Sequence, residues 1–167
     1  MYVGFIFVGT YMGYAVGSAP VISYHYGAGN KDELKNLLKR SLTIIIVSSV
    51  VMTLIAEIIA GYLAGIFVSY DNNLLELTTE AIRIYAVSYL ISGVNIFASS
   101  FFTALNNGVV SAVISFMRMF VFQIVMILLL PVVLGISGIW TAVIAAEVLS
   151  VVISVMFLVK NRKKYSY

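Results

Sequence analysis

Residues 2–24 carry no charged side chain. A helix over that stretch, at about 1.5 Å per residue, is roughly 35 Å long and crosses a hydrocarbon layer of roughly 30 Å. The same apolar character returns over residues 42–69, 84–105, 109–134 and 139–159, each broken by at most one ionisable residue. Lipid offers backbone N–H and C=O groups no partner, so each run is expected as a helix and the chain as an all-α integral membrane protein with five transmembrane helices. Residues 31–40 read differently. Leu34, Leu37 and Leu38 share one helical face while Lys31, Lys35 and Lys39 stay polar, the pattern of a short helix lying on the inner membrane surface. Gly27 and Gly29 end the first span, and Asn30 with Glu33 fits a capping box that opens the next helix. Gly9, Gly13 and Gly17 in the first span, and Gly61 and Gly65 in the second, recur every fourth residue. Such grooves let a neighbouring helix approach closely.

Composition sharpens this picture. The 167 residues are 62% hydrophobic and 10% charged, with a mean hydropathy of +1.06, whereas soluble domains carry roughly 25% charged residues. The net charge of +3 does not point to nucleic acid, because the basic residues sit at the ends of apolar runs and form no groove interleaved with aromatics. It points to topology instead. Lys31, Lys35, Lys39 and Arg40 lie between the first two spans and Lys160, Arg162, Lys163 and Lys164 follow the last, which places both segments in the cytoplasm. The segment around Asp71, Glu76 and Glu80 is acidic and belongs outside. Five spans and a cytoplasmic C-terminus put the N-terminus outside with no signal peptide ahead of it. An odd number of helices preceding Tyr2 accounts for that most simply, so the chain is expected to be a C-terminal fragment. There is no cysteine, and the single His25 has no companion ligands around it, so a metal site is not expected. No internal repeat is visible. Nor does any acid pair, nucleophile beside a base, or phosphate-cradling loop appear, and no enzymatic activity or bound cofactor is expected.

Two sets of residues could carry chemistry. Ser88, Ser92, Asn95, Ser99 and Thr103 recur at helical spacing and form one polar stripe down the third span. That stripe reads as the wall of a wet cavity holding a cation or a polar substrate group, or as a helix contact glued by hydroxyls. Glu57, Arg118 and Glu147 lie at membrane depth, where an ion is costly and faces a partner or a cavity. Counted from the inner ends of their helices, Arg118 is roughly 14 Å deep and Glu147 roughly 18 Å. An arginine side chain covers that difference, so the two are expected to pair, with Ser111 and Ser115 on the same face as Arg118. Glu57 has no partner visible in the sequence and is a candidate either for a carboxylate that binds or releases a proton or for pairing with a helix absent from this sequence.

Four groups of residues, spread over most of the chain, carry a family likeness. They are Gly17-Ser18-Ala19-Pro20 leading to Tyr26-Gly27-Ala28-Gly29-Asn30; Gly93-Val94-Asn95 with Phe101-Phe102 and Ala104-Leu105; Ser115 with Arg118; and Gly135-Ile136-Ser137-Gly138-Ile139-Trp140 followed by Ala146-Glu147. In these the chain resembles the multidrug and toxic compound extrusion (MATE) family. The resemblance implies a partial second lobe of a twelve-helix transporter, helices eight to twelve, embedded with its missing N-terminal helices in the lipid of the cell's inner membrane. It also implies an antiporter that exports organic cations or drugs by alternating access, with sodium or a proton as the coupling ion. Some members combine an acidic residue on the second lobe's first helix with an Asp on the helix matching residues 84–105; here Asn95 stands at the Asp-like position. Two rivals are a lipid-linked oligosaccharide flippase of the wider superfamily and a non-catalytic structural membrane subunit.

Overall fold

The computed structural model describes residues 2–167. The helices are α1 (Tyr2–Gly27), α2 (Lys31–Val68), α3 (Asn72–Ala104), α4 (Gly108–Phe116), α5 (Gln123–Leu134) and α6 (Ile136–Tyr165). A π-helical stretch, Met117–Phe122, joins α4 to α5 without a break, so the five long apolar helices are α1, α2, α3, the α4–α5 rod and α6.

Two elements differ from the sequence expectation. The surface helix over residues 31–40 is not separate: it forms the first turns of α2, a rod of 38 residues. Nothing in the chain from Lys31 to Ala60 is Gly or Pro, so the helix has no residue at which to stop. Likewise α3 begins at Asn72, a dozen residues before the apolar run, because the Asp71 side chain accepts from the N–H groups of Asn73 and Leu74 and caps the helix there. Glu76, Glu80 and Arg83 therefore ride on a helix and not in a loop. Of the capping box expected at Asn30, half forms. The Asn30 side chain accepts from Glu33 N–H at 3.2 Å, but the Asn30 N–H is taken by the His25 carbonyl at 3.0 Å, leaving Glu33 nothing to reach back to.

Helix α3 is the hub, packing against α1, α2, α4 and α6. Phe97, Ala98, Phe101 and Phe102 on α3 are fully buried with Ile22, Leu34, Ile45, Leu105 and Ile114. The face that α2 buries is a stripe of small residues, Ser49, Thr53, Ala56, Ala60 and Ala64, spaced three or four apart so that they lie above one another. Small side chains allow the close approach, and the Thr53 hydroxyl uses it to donate to the Ala86 carbonyl at 3.2 Å. The glycine grooves turn elsewhere. A Cβ added at Gly9, Gly13, Gly17, Gly61 or Gly65 meets no atom within 4 Å, so the expected helix contact at these glycines is not made within this chain. The glycines that do pack closely are others. Gly138 lies directly on the backbone of Leu130 and Pro131, which lets α5 double back into α6 through a turn where Gly135 takes φ +62°.

At the other end of α6, the basic residues Arg162, Lys163 and Lys164 occupy the last helical turn, where the helix dipole favours cations. Beyond it the chain folds back. Tyr167 sets its ring edge-on to Phe101, centroids 5.1 Å apart, and donates to the Leu158 carbonyl at 2.9 Å. Burial pushes the Tyr167 phenol well above its ordinary range, so it stays a neutral donor at physiological pH.

Candidate functional site

The polar stripe of α3 divides in two. Toward its upper end, Ser88 and Ser92 are buried and donate back to carbonyls of their own helix, to Tyr85 at 2.7 Å and Tyr89 at 3.3 Å. Asn95, wholly buried, is the first to reach across. Its amide donates to the Glu147 carboxylate at 2.8 Å and to the Glu147 carbonyl at 3.2 Å, and its oxygen accepts from Ser154 at 2.9 Å. In the lower half Ser99 is half-buried and Thr103 exposed. Within this chain, then, the upper stripe is a packed seam between α3 and α6, and only the lower part meets open space.

Glu147 and Arg118 form an ion pair. A terminal guanidinium nitrogen of Arg118 lies 2.8 Å from Glu147 Oε1, and Arg118 Nε donates to both carboxylate oxygens at 3.0 Å. With side chains 17% and 10% exposed, the pair is screened from solvent yet opens on a cleft of about 160 Å³ that Met119 and Gln123 also line. Planar guanidinium matched to carboxylate is the strong form of such a pair. Glu147 is thereby held from two helices at once, by Arg118 from the α4–α5 rod and by Asn95 from α3.

Arg118 stands in the π-helical stretch. A π turn holds an extra residue within its hydrogen-bonded ring, and such turns concentrate at functional positions. No glycine or proline lies near it to announce it, so the sequence gives no signal of it. Ser111 and Ser115 do not line the ion pair as expected. They bond instead to Ser99, at 2.9 and 2.7 Å, and Ser111 also to Thr103 at 2.7 Å.

Glu57 stands apart from this site. Its carboxylate lies 3.7 Å from Arg83, with side chains 35% and 58% exposed, a partner that the sequence reading did not find. At that distance and exposure the pair contributes little. His25 keeps its ring edge-on to Tyr24, with Nδ1 buried and unbonded among the described residues. No group of three metal-ligating side chains occurs among the described residues.

The comparisons with known proteins decide the family. The model of the family named MatE matches residues 1–129. The chain belongs to the MatE family. A crystal structure of the Vibrio cholerae MATE transporter VcmN in its bent form superposes with a TM-score of 0.88 at 17% identity. The match covers 96% of this chain and 36% of that one, so the chain spans about a third of the solved transporter's length. No match is found among curated proteins. As a MatE family member with five long apolar helices, the chain is a multi-pass membrane protein.

Asn95→Leu should lower thermal stability in detergent by about 1–3 kcal/mol, since it removes one donor from the buried Glu147 carboxylate and leaves the Ser154 hydroxyl without its acceptor. Differential scanning fluorimetry on the natural polypeptide reads this directly, and an unchanged transition would remove Asn95 from the seam.

Proposed function

We propose that the chain forms part of the second lobe of a cation-coupled antiporter that exports organic cations or drugs by alternating access across the cell's cytoplasmic membrane. Membership of the MatE family over residues 1–129 carries this reading. The fold match and the buried Asn95–Glu147–Arg118 network support it, because ions kept at membrane depth are costly and mark transport pathways or their scaffold. The charge distribution of the helix ends supports a cytoplasmic C-terminus. Sodium or a proton is the coupling ion, and the remaining helices of the transporter complete the pathway. A flippase for pyrophosphate-linked lipids has less support, since it needs a cationic cavity and the charge of Arg118 is already matched by Glu147.

The test is ethidium efflux from cells stripped of their own pumps and expressing the natural polypeptide. Efflux should accelerate, and it should collapse with either the sodium gradient or the proton gradient. Verified membrane insertion without gradient-dependent efflux of ethidium or a panel of other organic cations would overturn the reading.

A further inference from the structure

Helix α2 passes from the basic end of the protein into the apolar layer at Arg40. Residues 41–56 carry no charge and the next ionisable residue is Glu57, about 26 Å further along the axis, so Arg40 stands at the edge of a hydrocarbon layer of roughly 30 Å. The rotation of α2 at this level is fixed. Leu34, Ser41 and Ile45 are buried, and Ser41 Oγ accepts from the Tyr14 hydroxyl of α1 at 3.0 Å. The opposite face is therefore turned outward, and there Asn36, Lys39, Arg40, Thr43 and Ile44 line an open cleft of about 430 Å³. Neither Lys39 nor Arg40 forms an ion pair with a carboxylate among the described residues. The nearest acidic residues along the chain, Asp32 and Glu33, lie toward the start of the helix, where Glu33 Oε2 accepts from the Asn36 amide in a long contact of 3.5 Å. The Thr43 hydroxyl donates to the Lys39 carbonyl at 2.9 Å. Two adjacent cations are left without a counter-charge.

Beyond the cleft the same face turns wholly apolar. Ile44, Val47, Val51, Leu54 and Ile58 are exposed and recur three or four residues apart, so they lie above one another. The face that α2 packs against its neighbours is made of small residues, Ser49, Thr53, Ala56, Ala60 and Ala64. This one is large and branched, which keeps another helix at a distance and suits acyl chains. From Ile44 to Leu54 is about 15 Å, the hydrocarbon depth of one leaflet.

We propose that this face of α2 is a binding site for an anionic phospholipid, with the phosphate held by Lys39 and Arg40 and an acyl chain laid along Ile44, Val47, Val51 and Leu54. The guanidinium fork matches two phosphate oxygens and the ammonium adds a point charge, while both aliphatic stems rest on the apolar surface. A zwitterionic lipid brings its own cation against these two and is held less well. Free phosphate offers the same oxygens but makes no use of the apolar stripe. The site goes beyond the transport reading and needs only that the chain is embedded in lipid, so its test involves neither substrate nor gradient.

The natural polypeptide is titrated in detergent with dioleoyl phosphatidylglycerol or dioleoyl phosphatidylcholine, and bound lipid is counted by native mass spectrometry. Phosphatidylglycerol should bind about tenfold more tightly or better. Lys39→Gln with Arg40→Gln should weaken its binding about 25-fold, at about fivefold for each charge. Arg162→Gln with Lys163→Gln removes the same charge from exposed positions at the end of α6 and should leave binding unchanged. Millimolar inorganic phosphate should not displace the lipid. Lys39 and Arg40 are exposed, so their double variant should fold, which gel filtration checks; if it does not, Arg40→Gln alone should show the fivefold loss. The proposal is overturned if the two lipids bind equally or if the two double variants weaken binding alike, which would reduce the site to a diffuse basic field. Displacement by inorganic phosphate overturns it as well, since the cleft would then serve a soluble phosphate.

Discussion

Glu147→Gln and Arg118→Gln, made singly, should each destabilise the protein by about 3 kcal/mol or more, and the double variant should lose markedly less than the sum. Breaking a buried pair leaves one desolvated charge with no counter-charge, which costs more than removing both, and a central Arg alone carries about 2.5 to 3.5 kcal/mol on insertion scales. The geometry makes the coupling strong: three close nitrogen–oxygen contacts between side chains that are only 17% and 10% exposed. Glu147→Gln still presents a carbonyl oxygen to Asn95, so that bond survives and the loss belongs to Arg118. A double-mutant cycle on the midpoint of thermal unfolding measures the coupling. Strictly additive losses would mean that the two side chains do not interact in the folded protein.

A second large effect is expected at Gly93. A Cβ there would stand 2.8 Å from Ile45 Cγ2 and 3.0 Å from Tyr11 Cε1. Both neighbours are 1% exposed and neither has free space to retreat into. The Tyr11 ring is further pinned by its hydroxyl, which donates to the Tyr89 carbonyl at 3.0 Å. Gly93→Ala should therefore cost about 1–3 kcal/mol from overpacking, and Gly93→Leu should abolish the folded fraction. Gly13→Ala provides the contrast, since its Cβ meets nothing within 4 Å. On the isolated effect of helix propensity it should be neutral or slightly stabilising in this chain. Fluorescence-detected gel filtration of the three variants ranks them. Equal recovery of all three would show that α1, α2 and α3 do not converge on Gly93.

The identity of the crowded glycine could not be read from spacing. Gly9, Gly13 and Gly17 carry the regular small-residue signature, yet in this chain they face away from every neighbour, while the isolated Gly93 sits where three helices meet. Spacing tells which residues share a helix face. It does not tell which face is turned inward, because in lipid both faces are apolar and no hydrophobic contrast marks the buried one. The stripe of Ser49, Thr53, Ala56, Ala60 and Ala64 went unremarked for the same reason, although it is the face α2 buries.

The polar stripe of α3 was legible as a stripe and only partly as a structure. Helical geometry alone aligns Ser88, Ser92, Asn95, Ser99 and Thr103. That Ser88 and Ser92 turn back on their own helix, that Asn95 meets Glu147 and Ser154, and that Ser99 meets Ser111 and Ser115 depends on the rotation and height of α6 and α4, which a pattern along one helix leaves open. The pairing of Arg118 with Glu147 was legible because energy, more than pattern, dictates it. Two opposite charges at similar depth in a medium that penalises each alone have few other places to go.

By itself the sequence determined that this is an all-α membrane protein with five long apolar helices, that its charges gather at helix ends, and that Arg118 and Glu147 need one another. All three follow from how a residue or a run behaves in lipid, a property that does not depend on the rest of the fold. Tertiary structure alone decided that Arg83 stands beside Glu57 and that Asn95 locks α3 to α6. Each of these depends on where two helices meet, and that is set by the fit of their surfaces.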